Sequence, residues 1–171
     1  MYAPIRRILV PVDFSEHARE ALLYAVRLAE PLEADVDVLH VDAEADATTE
    51  HVTVPGHPGR TVAEELDARA REELEAFVRS VPQPPQSPQS NEVRLRATIR
   101  RGDPARVIVE ESGDYDLVLM GRHGRTALLH LLVGSVTEKV LRHARCPVLT
   151  VRQRELAPAP RIAGVPVAAG G

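Results

Sequence analysis

Tryptophan is absent and aromatic residues make up only 3% of the 171-residue chain, so any core has to be aliphatic. Phe14 and Phe77, the only phenylalanines, are too far apart in sequence to read as a platform for stacking bases. The single cysteine, Cys146, excludes an internal disulfide and fits a reducing compartment. It precedes Pro147 at a strand start, where a small buried hydrophobe is its ordinary role, and no His or Asn spacing supports a nucleophile. The net charge of −4 comes with no basic block, which argues against nucleic acid as a main partner. No apolar run approaches the ~18 residues of a membrane span. The first seven residues hold no apolar h-region, so a cytosolic, membrane-free protein is expected.

Several chemical signatures are missing as well. There is no Gly-x4-Gly-Lys-Ser/Thr phosphate loop and no Gly-x-Gly-x-x-Gly after the first apolar run, which disfavours P-loop ATPases and dinucleotide enzymes. A His-x-Gly-His run of the adenylyl-transferring kind is lacking too. The histidines are scattered; His51 and His57 share a Pro/Gly-rich stretch with no third ligand, so no zinc site is expected. No catalytic residue stands out.

What is present suits one α/β domain over residues 1–152. Ile8-Leu9-Val10-Pro11-Val12 reads as a buried parallel strand that Pro11, lacking an N–H, should stop by Asp13. Ser15 can cap a helix whose apolar face is Ala18, Ala21, Leu22, Ala25, Val26 and Ala29, ended by Pro31. Residues 35–41 form a second strand, and 42–61, acidic and then Pro/Gly/His-rich, an irregular excursion. Apolar residues from Ala63 to Val81 recur at helical steps, and a Pro/Gln/Ser-rich connector covers 82–91. Val93 to Arg100 alternates as a half-exposed strand. Asp103 and Pro104 open a short helix that Gly113 would stop. Leu117–Met120 is a buried strand; a helix from about Val136 to Arg142 and a strand over 147–151 follow. The Ala/Pro/Gly tail 153–171 cannot bury enough surface to order itself. Five strands alternating with four helices imply a parallel sheet with helices on both faces, in an order this pattern does not reveal.

The most informative stretch runs from Gly121-Arg122-His123-Gly124, through nine further residues, to Gly134-Ser135-Val136-Thr137-Glu138. It leaves a buried strand on glycines and enters a helix. Glycines at a strand end let backbone approach a ligand closely. First-turn N–H groups of the helix, at the positive end of its dipole, suit phosphate. Gly121 and Gly124 would give close access, while Gly134, Ser135 and Val136 would present amides. Ser135-x-x-Glu138 is equally a capping box, so Ser135 is divided between cap and ligand. Arg122 and Arg125 flank the loop and could offset phosphate charge. His123 could touch phosphate or face solvent.

This spacing resembles the nucleotide-binding signature of the universal stress protein family. The stretches Ile8–Ser15 and Cys146-Pro147-Val148 are also similar to that family's first strand and C-terminal pattern, and the resemblance covers about residues 5–152. It implies a Rossmann-like sandwich with strand order 3-2-1-4-5 and a crevice where strands 1 and 4 diverge, at Asp13 and Gly121. It further implies ATP as ligand, with Val41 backbone against adenine, Pro11 and Val12 lining the base pocket and Met120 at its rim. Asp13 would meet a ribose hydroxyl, the adenine amino group or Mg²⁺. A homodimer through the last strand, 147–152, is implied as well. The expected function is a regulatory ATP-binding module; a slow Mg²⁺-dependent ATPase and a nucleotide-free adaptor are the alternatives.

Overall fold

The computed structural model of the chain describes residues 4–43, 52–53, 61–81, 93–123 and 133–152. Gly124 and Arg125, the connector 82–91, the tail and most of the 42–61 excursion lie outside the described residues. The described elements are β1 (Arg7–Val12), α1 (Glu16–Leu32), β2 (Asp35–Asp42), α2 (Val62–Ser80) and β3 (Leu95–Arg101). They continue with α3 (Pro104–Glu111), β4 (Leu117–Gly121), α4 (Ser135–His143) and β5 (Val148–Val151). All strand pairs are parallel and the sheet order is β3-β2-β1-β4-β5, as the resemblance implied.

Strand alternation divides the core between the two faces of the sheet. Ile8, Val10, Val36, Val38 and Leu119 join the apolar stripe of α1 and the few buried residues of α2 on one face. Leu9, Leu39, Val41, Val118 and Met120 pack with Ile108 of α3 and Val140 of α4 on the other. Both clusters are aliphatic apart from the Phe77 of α2, as the shortage of aromatics requires.

Several helix ends differ from the sequence expectation. Ser15 caps α1 by accepting from Ala18 N–H, but the helix runs through Pro31 to Leu32. Pro31 is tolerated because the turn is closed downstream: Glu33, in left-handed conformation at φ 52°, sends its N–H to the carbonyls of Ala29 and Glu30. α2 starts on a reciprocal capping box between Thr61 and Glu64. Asp103 caps α3 with Pro104 in its first turn, yet the helix ends at Glu111 and Gly113 lies in a following 3-10 turn.

The sheet's two edges are unlike. On β3, Arg96 pairs with Asp37 at 2.9 Å, Arg100 with Glu111 at 2.8 Å and Arg101 with Asp67 at 2.6 Å, so charge covers that edge. On β5, Leu149 is 37% exposed, and Leu141 of the neighbouring α4 is 46% exposed.

Candidate functional site

The crevice starts from a missing hydrogen-bond donor. β1 pairs with β2 over its whole length, from Arg7↔Asp35 to Val12↔His40, but with β4 only at Ile8↔Leu117 and Leu9↔Val118. The carbonyl of Arg7 accepts from Asp116 on the β4 side, and alternate residues face the same way, so Pro11 also faces β4. Proline has no N–H to extend that ladder. The carboxyl ends of β1 and β4 therefore part at the topological switch point, where open α/β sheets bind ligands.

On the β1 side the chain turns through Asp13-Phe14-Ser15. Phe14 sits at φ 64°, a left-handed conformation that a side chain with a Cβ resists. Its ring lies 4.2 Å from that of His40 and 5.6 Å from that of Phe77, centroid to centroid. The two phenylalanines that look scattered in sequence thus meet behind this turn. His40 Nδ1 donates to Val12 O at 2.9 Å, since a carbonyl can only accept, and so fixes the last residue of β1. Asp13 Oδ1 accepts from the Ser15 amide at 3.2 Å and from Ser15 Oγ at 2.6 Å, holding the carboxylate at the crevice edge.

On the β4 side the N-terminus of α4 corrects two expectations. Gly134, rather than Ser135, is the N-cap, and no side chain caps the helix; Ser135 is its first residue. Ser135 therefore does not close a capping box, and its exposed hydroxyl stands at the crevice beside first-turn amides. The Gly134 amide, expected to face phosphate, instead donates to Arg122 O at 3.0 Å and draws the two ends of the glycine loop together. The amides with a free direction toward a ligand are those that follow it, in the first turn. Thr137, buried, donates from Oγ1 to Gly121 O at 3.1 Å and ties α4 to the end of β4.

Gly121 has a packing role beside the expected one at the cavity. A Cβ there would lie 2.9 Å from the C, Cβ and O of His17, so its missing side chain admits the first turn of α1. Close packing of α1 on β4 sets this glycine.

One cavity gathers these parts. It encloses about 780 Å³ of empty space, solvent at its mouth included. Pro11, Val12, Asp13, Val41, Met120 and Gly121 line it from the strand ends, and His123, Gly134, Ser135 and Val136 from the loop and α4. Of the candidates within the described part of the chain, all but Arg122 line it; Gly124 and Arg125 lie outside the described residues. Leu39, Pro104, Ile108 and Thr137 line it too and were not anticipated. Leu39 was foreseeable, being two residues before Val41 on one strand face. Pro104 and Ile108 arrive by a crossover whose landing point local pattern does not encode. The result is an apolar slot of Leu39, Val41, Ile108 and Met120 beside an uncapped helix start. Such a site takes a flat apolar body at one end and an anion at the other.

His123 sits 5.5 Å from His17, ring to ring, and its pKa is lowered by partial burial first, then by Arg122, His17 and Arg152. Burial pushes the Cys146 thiol up, against a nucleophilic role. Among the described residues no group of three or more His, Cys, Asp or Glu could hold a metal, and no helix is long and apolar enough to cross a membrane. A magnesium ion in the crevice would find one protein carboxylate, Asp13, and would depend on ligand phosphates for the rest.

Comparison with known proteins bears on this geometry. The family model described as Universal stress protein family matches residues 4–152. Universal stress protein MJ0531 of Methanocaldococcus jannaschii is 31% identical over 150 residues, covering 86% of this chain and 82% of that protein. The solved structure of MJ0577, from the same organism, has a TM-score of 0.65 at 28% identity, covering 89% of this chain and 99% of that one. An Arabidopsis thaliana protein of that family, solved with AMP bound, shares the fold at TM-score 0.52 and 22% identity, over 91% and 98% of the two chains.

Proposed function

The chain belongs to the universal stress protein family, and from that premise we propose that it binds an adenine nucleotide, ATP foremost, in the β1/β4 crevice and acts as a regulatory module. The observation carrying this reading is the convergence, in one cavity, of an apolar slot and a helix N-terminus without a side-chain cap. Adenine would lie in the slot between Val41 and Met120, with the backbone at the end of β2 reading its edge. Asp13 would accept a hydrogen bond from a ribose hydroxyl; a carboxylate there repels phosphate and orients the nucleoside end away from α4. The phosphates would then meet the amides of the first turn and Ser135 Oγ. The AMP bound by the Arabidopsis relative supports the same ligand class.

Asp13 is held by Ser15 at the rim, and the reading proposed is one of binding. Its output is assembly: a second copy would pair along β5, where Leu149 and Leu141 leave an apolar edge that β3 does not have. The test is calorimetry of the purified chain with ATP, AMP and GTP in Mg²⁺ buffer, alongside chromatography of whatever nucleotide is released on denaturation. Binding of adenine nucleotides in preference to GTP is expected. A chain that releases none and gives no heat with any of the three would end this reading.

A further inference from the structure

His123 and its surroundings carry a consequence for how the crevice is loaded. His123 lines the cavity. The bond from Gly134 N–H to Arg122 O, 3.0 Å, holds the residue before it against the N-cap of α4. The bond from Arg122 N–H to Val151 O, also 3.0 Å, brings Arg152 to the same corner. His17 closes the ring of neighbours from α1, its imidazole edge-on to that of His123. Among the described residues the groups facing His123 are Arg122 from the loop, Arg152 after β5, His17 from α1 and the first turn of α4, whose own acid, Glu138, is paired with Arg142 at 2.8 Å. Among the described residues the one carboxylate lining the cavity is Asp13, engaged with Ser15 at the end of β1.

Partial burial first, and then the arginine charges, disfavour the protonated imidazole in such a place. A phosphate set among the same groups reverses the balance, because the anion favours the charged form of the ring and screens it from the arginines. We propose that loading this crevice with a phosphate-bearing nucleotide takes up a proton at His123, so that occupancy rises as pH falls through the neutral range. This rests on the nucleotide-binding reading and adds a regulatory input to it: the protein holds its ligand more tightly in an acidified compartment. The sign follows from linkage. The neutral ring of the free protein gains its proton only with the ligand, so affinity increases toward low pH and levels off above the pKa reached in the complex. Each unit by which the ligand raises that pKa makes about a tenfold difference in affinity between the two pH limits.

The experiment is calorimetry of the full chain with ATP at pH 6.0, 7.0 and 8.5, in buffers of low and high ionisation enthalpy, for the unaltered protein and His123→Gln. ATP exchanges protons of its own in this range, and the comparison of the two proteins subtracts them. Expected are about half a proton more taken up by the unaltered protein at pH 7, and an affinity ratio over His123→Gln of about threefold or more at pH 6.0, closing toward unity at pH 8.5. A carbon-detected NMR titration of the His123 ring, free and with ATP, should show its pKa rise on binding, without reliance on the variant's folding. Equal proton uptake and a pH-independent ratio overturn the proposal and leave nucleotide binding intact. Absence of ATP binding in the unaltered protein at every pH overturns both.

Discussion

Gly121→Ala tests whether the site is built on close approach of backbone to backbone. The added Cβ would stand 2.9 Å from His17 C, O and Cβ. Ordinary carbon contact begins near 3.5 Å, so about 0.6 Å of separation has to be found. Little can yield, since β4 is buried along its length and Ala18, next to His17, is 3% exposed. Overpacking of this kind costs about 1–3 kcal/mol. Against it stands the lower chain entropy of alanine in the unfolded state, about 0.4–1 kcal/mol. A net loss of about 1–2 kcal/mol should remain, or about 2–8 °C in Tm for a chain of this size. Urea unfolding followed by circular dichroism measures it. Two of the three clashing atoms are backbone and the third survives truncation to alanine, so His17→Ala should not rescue the variant. A Gly121→Ala protein as stable as the parent, or one rescued by His17→Ala, would refute the packing account.

Other perturbations separate other links. Pro11→Ala restores an N–H facing β4; about 0.5–1.5 kcal/mol from a new hydrogen bond offsets about 0.4–1 kcal/mol of lost chain restriction. Tm should hardly move while calorimetry finds weaker ATP binding, because the crevice narrows. Thr137→Val removes the donor to the buried Gly121 carbonyl and should cost about 1–3 kcal/mol in urea unfolding, with Thr137→Ser recovering most of it. Tyr115 is pushed up to about 12, by burial first and then by its bond to Asp37. A phenol whose pKa is higher folded than unfolded stabilises fully below pH 10 and loses that contribution as pH rises toward 12. Tyr115→Phe should therefore flatten alkaline unfolding in that window and abolish the phenolate absorbance step near pH 12. Leu149→Glu puts a charge on the exposed edge of β5 and should convert a dimer into a monomer by light scattering at micromolar concentration; an unchanged mass would dissociate assembly from this edge.

The elements of this fold are local in origin, and so they were legible. Apolar runs gave β1, β4 and β5, alternation gave β2 and β3, and Ser15 and Asp103 declared two helix starts through their own side chains. The order of the strands came from resemblance alone, because the residue pattern of a buried strand does not encode its neighbour. Pairings hidden from sequence are long-range ones: Phe14 with His40 and Phe77, His17 with His123, and Ile108 across the mouth of the crevice. Two further points turn on contacts distant along the chain. Ser135-x-x-Glu138 has a capping box's residues, but the loop end is fixed by the Gly134–Arg122 bond, which moves the cap one residue earlier. Gly121 lines the cavity as expected, and its second task, admitting α1, was hidden because the sequence cannot tell which neighbour a missing Cβ makes room for.

Three absences of single groups shape the crevice, and each acts in a different currency of structure. Pro11 lacks a donor, so a ladder stops and two strands separate. Gly121 lacks a Cβ, so α1 closes against β4 and Ala18 of its first turn joins Asp13 in the lining. Gly134 lacks a capping side chain, so the first turn of α4 opens on the cavity with no internal acceptor of its own. Of the three, the open helix start is the one a chain selected only for stability would close, since a capping side chain at Gly134 would contribute about 0.5–2 kcal/mol; a Cβ at Gly121 would clash, and an N–H at Pro11 would leave stability nearly unchanged. Among the described residues α1, α2 and α3 each start on a side-chain cap and α4 does not, so the helix whose first turn opens on the cavity is the one that forgoes that stabilisation, as the proposed phosphate contact requires.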